Sequence, residues 1–251
     1  MSRLSTLFSI WRKSGTGSLL RYAADRLGKR LLSLQVVELV WLEASKIQLT
    51  EDANPGFTFR FLAPEEVAAH AQLPENQLDQ EMVARAAAGS DLCFAVLQNG
   101  RLASYGWYAL RGVEGRHNFG VSMSYPDSVA YMYKGFTHRD FRGLRLHGIG
   151  MKRALLQLNQ RGIHALVSTV DWTNTASLRS CDRLGYQRLG QIIRTGKAPG
   201  TIWYIPRSAA RKGVRCHSQI NDRPVSKPAP VLHSPLLCHL PMACDTRASS
   251  K

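Results

Sequence analysis

One stretch constrains this chain more than any other: Phe136 to Gly150, reading FTHRDFRGLRLHGIG. A β-rich run, Val129 to Phe136, leads into it, and an apolar helical pattern leaves it. Between them lies a turn of Arg and Gly. Strand, glycine-bearing basic turn and helix together make an anion cradle. The turn's N–H groups and the partial positive charge of the helix start converge on one place. Arg142 and Arg145 add charge-assisted hydrogen bonds to phosphate oxygens.

A second stretch follows at a set distance. After a helix ending near Gly162 and a strand over Ala165 to Asp171 comes Asn174-Thr175-Ala176-Ser177-Leu178-Arg179-Ser180-Cys181-Asp182-Arg183-Leu184-Gly185-Tyr186. Arg142-Gly143-Leu144-Arg145-Leu146-His147 resembles the acyl-coenzyme A motif of the GNAT superfamily of N-acetyltransferases. The Asn174 to Tyr186 segment resembles that family's N-x-x-[AS]-x-x-x-[YF]-x-x-x-G-[FY] pattern. The resemblance spans about Phe57 to Pro206. Arg145 and His147 depart from it, standing where the family prefers glycine or alanine. A second departure is Cys181, which holds the place of a tyrosine.

The resemblance implies an α/β (α+β) fold: a central mixed, splayed β-sheet flanked by helices. It implies acetyl-coenzyme A as the acyl donor, held by the backbone of Phe136 and Thr137, by the loop Arg142, Gly143, Leu144, Arg145, Leu146 and His147, and by Asn174. His147 either crowds the pyrophosphate or donates to it.

The chain has 251 residues, enough for one domain with a substantial core plus extensions. Its formal net charge of +15 points to anionic partners: coenzyme phosphates, nucleic acid or an acidic membrane surface. Much of that excess lies at the two ends. No nucleic-acid reader motif or aromatic-interleaved basic surface accompanies it, so specific nucleic-acid binding is not expected. An odd set of five cysteines without a secretory leader suggests free thiols and a cytoplasmic setting. Cys216-His217, Cys238-His239 and Cys244 have no standard zinc spacing, and no metal is expected. No apolar run approaches a membrane span.

Taken in order, Met1 to Lys13 places Leu4, Leu7, Phe8 and Trp11 at helical spacing beside basic residues. It suits either an anionic membrane surface or the protein's own body. A helix over Leu19 to Leu32 and a strand over Leu34 to Leu42 complete a basic N-terminal extension, residues 1–54. The acyltransferase domain is expected at residues 55–206. It opens with a strand from Phe57 and helices at Pro64 to Ala71 and Leu78 to Ala88. Asn99-Gly100 between two β-rich runs, Asp91 to Gln98 and Arg101 to Leu110, predicts a hairpin. A central strand over Ser128 to Thr137 comes next, then a helix over Gly150 to Asn159. Gln187 to Arg194 and Thr201 to Ile205 read as closing strands. From residue 207 to 251, Pro, Ser, His and basic residues without periodicity predict a disordered tail.

Transfer of an acetyl group to an amine needs an unprotonated amine held in line, a donor for the oxyanion and a proton for the leaving thiolate. The candidate acid is Cys181 in the family's tyrosine position, with Tyr131, Tyr133 or water as substitutes. Cys181 also reads as a small packing residue, the reading its poor donor strength favours. Candidate bases are Asp171, His138, Tyr131, Tyr133 and Glu114; Asp171 also reads as a cap of the following turn. The expected activity is N-acetylation of a small molecule or saccharide precursor. Protein N-acetylation, or a GNAT-like shell that binds coenzyme A without catalysis, are the alternatives. The basic surface favours anionic acceptors over polyamines.

Overall fold

In the computed structural model, the structure describes residues 3–48, 56–112, 121–196 and 202–218. The chain begins with α1 (Arg3–Leu32), broken at Gly15, whose φ of 77° no helix accommodates. β1 (Gln35–Glu43) follows, then β2 (Phe57–Phe61), α2 (Pro64–Ala71) and α3 (Gln80–Ala87). β3 (Asp91–Gln98) and β4 (Arg101–Ala109) form the hairpin expected at Asn99-Gly100, with φ of 50° and 78° at the two turn residues. Next come β5 (Val121–Ser124), β6 (Val129–Thr137), α4 (Leu146–Asn159), β7 (Ala165–Asp171) and α5 (Thr175–Leu184). β8 (Gln187–Thr195), β9 (Ile202–Tyr204), α6 (Arg207–Arg211) and β10 (Arg215–Ser218) end the described chain.

Eight strands form one sheet in the order β2-β3-β4-β6-β7-β1-β8-β9. All its pairings are antiparallel except β6 with β7. This mixed, helix-flanked sheet, opened between β6 and β7, is the architecture the resemblance implied.

Two expected boundaries are corrected. Residues 1–54 are not an extension outside the domain. β1 lies inside the sheet and pairs along its length with β7 on one side and β8 on the other. Its near-continuous apolar run, with Val36 to Leu42 buried throughout, is what a strand covered on both faces requires. Nor does a tail begin at residue 207. α6 and β10 continue the fold, and Ala209 and Val214 bury completely against Val37, Leu189 and Ile192. β10 pairs with β5 in a second, two-stranded sheet that the sequence pattern did not announce. Residues 219–251, the rest of the expected tail, lie outside the described residues.

α4 starts at Leu146, earlier than the Gly150 expected from its apolar pattern. Gly148 and Gly150 are therefore packing positions within the helix. A side chain at Gly148 would strike Leu184 of α5, and one at Gly150 would press on Val96 of the sheet. The α4 face carries Leu155, Leu158, Met151 and Ala154 onto Leu42, Phe94, Tyr108 and Leu166. α2 and α3 bring Val67, Met82 and Ala86 to a separate cluster around Cys93, Tyr105 and Trp107.

Candidate active site

The site is built where the one parallel pair comes apart. β6 and β7 are in register only at Val129–Ala165, Ala130–Leu166 and Tyr131–Val167. Beyond that, β6 stays on β4 as far as Thr137, whereas β7 stays on β1 as far as Asp171. The fork is tied by side chains. The Ser168 hydroxyl donates to the Met132 carbonyl at 2.6 Å, and the Tyr131 and Thr169 hydroxyls share a hydrogen bond of 2.5 Å.

Ladder alternation decides which backbone groups face the gap. The His138 N–H donates to the Ala103 carbonyl at 2.9 Å, and Ser104 faces Thr137. Two residues along, Tyr105 opposite Phe136 is again a hydrogen-bonded pair, so the Phe136 amide and carbonyl point at β4. The Ser104 hydroxyl reinforces this by donating to the Phe136 carbonyl at 2.6 Å. The amides and carbonyls of Gly135 and Thr137 point the other way, into the gap. Of the two residues expected to offer backbone there, Thr137 does and Phe136 does not; Gly135 takes its place. Phe136 instead stacks its ring on Tyr105, centroids 5.1 Å apart.

The register of β4 on β6 shifts between Trp107 and Tyr108, leaving Tyr133 as the extra residue of a β-bulge. The Tyr133 hydroxyl donates to Asp91 Oδ2 at 2.6 Å. Asp91, 1% exposed, also accepts from Arg85 Nε at 2.7 Å and Nη2 at 2.9 Å. Burial and the adjacent carboxylate both push the Tyr133 phenol far above its ordinary pKa. Nothing in the spacing of Arg85, Asp91 and Tyr133 signalled this network, because it joins a helix, the start of one strand and the middle of another.

At the mouth of the gap sits the basic loop. His138 opens a short helical turn over Arg139–Phe141, and Gly143 then adopts φ of 90°. Arg145 also takes a left-handed conformation, φ 58°, which turns the chain into α4. The first α4 bond runs from the Ile149 N–H to the Arg145 carbonyl, so the amides of Leu146, His147 and Gly148 have no acceptor within the helix. They face a cleft of about 460 Å³ lined by Thr137, Arg142, Gly143, Arg145, Lys152 and Arg183 among others, with no carboxylate among its lining residues. Arg142 Nε also donates to the gap-facing Thr137 carbonyl at 3.4 Å. The cleft therefore joins the open edge of β6 to a cationic helix start. Lys152 and Arg183, nearly two helical turns inside α4 and near the end of α5, were missed by a reading centred on the loop.

His147 turns its ring toward β6 rather than into this cleft. A Cβ on Gly135 would lie 2.3 Å from its Cε1, so the imidazole occupies the space that the missing side chain leaves on β6. Burial lowers its pKa, opposed by a hydrogen bond to the Tyr105 backbone. The large residue in the family's small position is thus accommodated by a glycine on the neighbouring strand. Leu144, within the loop, is exposed.

The other candidates are placed as follows. Asn174 caps α5, its Oδ1 accepting from the Ser177 N–H at 3.1 Å. Asp171 Oδ1 accepts from the Thr173 amide at 2.8 Å and hydroxyl at 2.6 Å, and Oδ2 faces Lys29 at 3.5 Å. Burial acts to raise the Asp171 pKa, but these hydrogen bonds and the ammonium outweigh it and lower the pKa. That is the capping alternative rather than the environment of a base. Cys181 packs with Leu184 against the cluster of Leu42, Met151 and Tyr186, and burial pushes its thiol up to about 11. His138 is enclosed by Phe136, Phe141 and Arg101. The Tyr131 hydroxyl is committed to Thr169. Glu114 lies outside the described residues.

A second cavity, about 490 Å³, lies at the opposite ends of β6 and β7, lined by Trp41, Glu43, His164 and Lys212. Its charges are already matched, Lys212 meeting Glu43 at 2.7 Å, and it does not reach the gap.

Solved structures similar to this chain include a GCN5-related N-acetyltransferase from Kribbella flavida, 16% identical, TM-score 0.47, covering 74% of this chain and 65% of that one. Another from Sphaerobacter thermophilus is 13% identical, TM-score 0.46, covering 68% and 54%. An acetyltransferase from the GNAT family from Colwellia psychrerythraea is 14% identical, TM-score 0.45, covering 64% and 56%. The chain spans less than two thirds of the length of each. No family model matches the chain, and no curated protein matches it in sequence.

Proposed function

We propose that the chain is an acyl-coenzyme A-dependent N-acyltransferase that moves an acetyl group to an amine of a small molecule or saccharide precursor. The observation that carries this reading is the continuity of two features. The parting of β6 from β7 exposes the Gly135 and Thr137 backbone, and that edge runs directly into the cationic start of α4. An extended amide-bearing arm adds to an open strand edge as a further strand would. A pyrophosphate at its end meets the amides of Leu146, His147 and Gly148, with Arg142, Arg145, Lys152 and Arg183 around them.

In this reading the thioester carbonyl lies against the bulge, where a gap-facing amide of β6 receives the charge that develops on oxygen. The acceptor's neutral amine attacks the carbonyl carbon. The new C–N bond forms as the C–S bond breaks, and the electron pair leaves on sulfur. Tyr133 donates to Asp91, so its oxygen presents lone pairs to the acceptor and orients the amine. The proton lost by the amine nitrogen passes through water to the thiolate, so water takes both the base and the acid roles. Cys181 packs half-buried against the core, and a thiol is a weak hydrogen-bond donor.

The packed Cys181 also favours a second reading, a shell that binds coenzyme A without turning it over. Calorimetry with acetyl-coenzyme A tests the site: absence of binding sinks both readings. Thiol release with a panel of amines, anionic aminosugars included, separates them. Binding without release for any amine leaves only the non-catalytic shell.

A further inference from the structure

The C-terminal half of α1 is mounted with its polar side inward. Asp25, 5% exposed, accepts from Trp172 Nε1 at 3.0 Å and from Lys29 Nζ at 2.7 Å. Lys29 also faces Asp171, and Ser18 is buried beside them on the same helical stripe. The side turned away from the body is apolar. Leu20, Leu27 and Leu31 are 71%, 58% and 68% exposed, and their spacing of seven and then four residues places them in one row. Ala23 and Ala24 fall between them and are exposed as well. A helix covered only by water would be stabilised by the opposite mounting.

Charge identifies what covers this row. Arg30 and Arg26 flank it on one side and Arg21 on the other, all exposed. The only carboxylate from Ser18 to Leu32 is Asp25, which faces inward. The outward face is therefore leucines between arginines, in a chain of formal net charge +15. A second copy of the same face would set arginine against arginine. Residues 219–251 offer four Lys or Arg against two Asp, so they supply no complementary charge. We propose that this face of α1 docks on an anionic lipid bilayer. The leucines enter the acyl boundary and Arg21, Arg26 and Arg30 meet the headgroup phosphates. The inference is independent of the acyl-transfer reading.

Co-sedimentation of the full chain with vesicles of phosphatidylglycerol in phosphatidylcholine, against phosphatidylcholine alone, tests it. Partitioning is expected to be at least tenfold stronger on the anionic vesicles and to fall as salt is raised. Leu27→Glu with Leu31→Glu should reduce it at least tenfold with the melting temperature unchanged, since neither side chain is buried. Arg21→Gln with Arg30→Gln should weaken it several-fold and flatten the salt dependence while leaving the apolar row intact. Equal binding to both vesicles, binding indifferent to the leucine pair, or a wild-type dimer that the leucine pair makes monomeric would each overturn the proposal. The last outcome would assign the face to a second copy.

Discussion

The sheet has two halves, one on each side of the gap, and they are assembled differently. On the β6 side, β2, β3 and β4 stack in antiparallel succession, β3 and β4 through a two-residue turn. On the β7 side, the wall is held by β1, a strand from far earlier in the chain, wedged between β7 and β8. The half with mostly local pairings carries the gap-facing backbone and the bulge. The half with the long-range insertion keeps the other wall in place. A site between two diverging strands needs each strand to be fixed by something other than its neighbour, and β4 and β1 are those two anchors.

The strongest test of this contrast removes the far anchor. Deleting residues 1–45 is expected to leave β7 and β8 without their shared partner and the chain without a cooperative thermal transition. Leu42→Ala is the milder version, with an expected loss of about 2–5 kcal/mol by denaturant titration. A folded, coenzyme-binding deletion variant would show that β1 is an accessory strand. Stopping the chain after Pro206 should cost less, about 2–4 kcal/mol, because it removes the buried Ala209 and Val214 from the same side. An unchanged melting curve would restore the boundary at residue 207.

The near side should respond through ligand rather than fold. Arg142→Ala with Gly143→Pro is expected to weaken acetyl-coenzyme A binding at least tenfold, with a melting temperature close to wild type. The first change removes a charge, and the second excludes the φ of 90° that the loop requires. Full affinity in this folded variant would move the phosphate site elsewhere. Cys181→Ala should lower stability by roughly 1 kcal/mol and leave turnover per folded molecule unchanged, because the side chain packs rather than reacts. A large fall in turnover with binding intact would place Cys181 in the chemistry.

The smallest effect concerns the corner joining β2 to α2. Arg60 is paired with Glu66, and the Glu66 carboxylate also accepts from the Ala63 N–H at 2.9 Å. These bonds, Arg60 first, lower the Glu66 pKa to about 2. The folded value lies below the unfolded one. The contribution is therefore complete above about pH 4.5 and is lost as pH falls toward 2. The pair is well exposed and solvent-screened, so its effect is small. Glu66→Gln should flatten the acid limb of a stability–pH curve slightly; an unaltered limb would show that the pair contributes nothing.

How far the sequence could be read follows the same division. The turn before α4 and the β3–β4 hairpin were legible because each is a local pattern of Gly, Asn and alternating apolar residues, whereas Asn174 was read as a coenzyme contact and not as the cap of α5. The strand nature of Gln35–Glu43 was legible too, from its Val and Leu density, but its neighbours were not. A strand buried on both faces shows that it is interior without showing where. The inward turn of His147 was hidden for a related reason: its explanation is Gly135, on another element. Arg85, Asp91 and Tyr133 meet only after the sheet and α3 have assembled. Phe136 was misassigned by a single step of strand alternation, which register settles and composition does not.

The insertion of β1 also sets a schedule for biosynthesis. Glu43 leaves the ribosome about 120 residues before Ala165, the start of its first partner. At synthesis rates of roughly 5–20 residues per second, the strand waits on the order of 6–24 s for β7, and longer for β8. Throughout that interval a run of seven residues, six of them apolar, is open on both edges to other nascent chains. Slowing translation between β1 and β7 would lengthen this exposure.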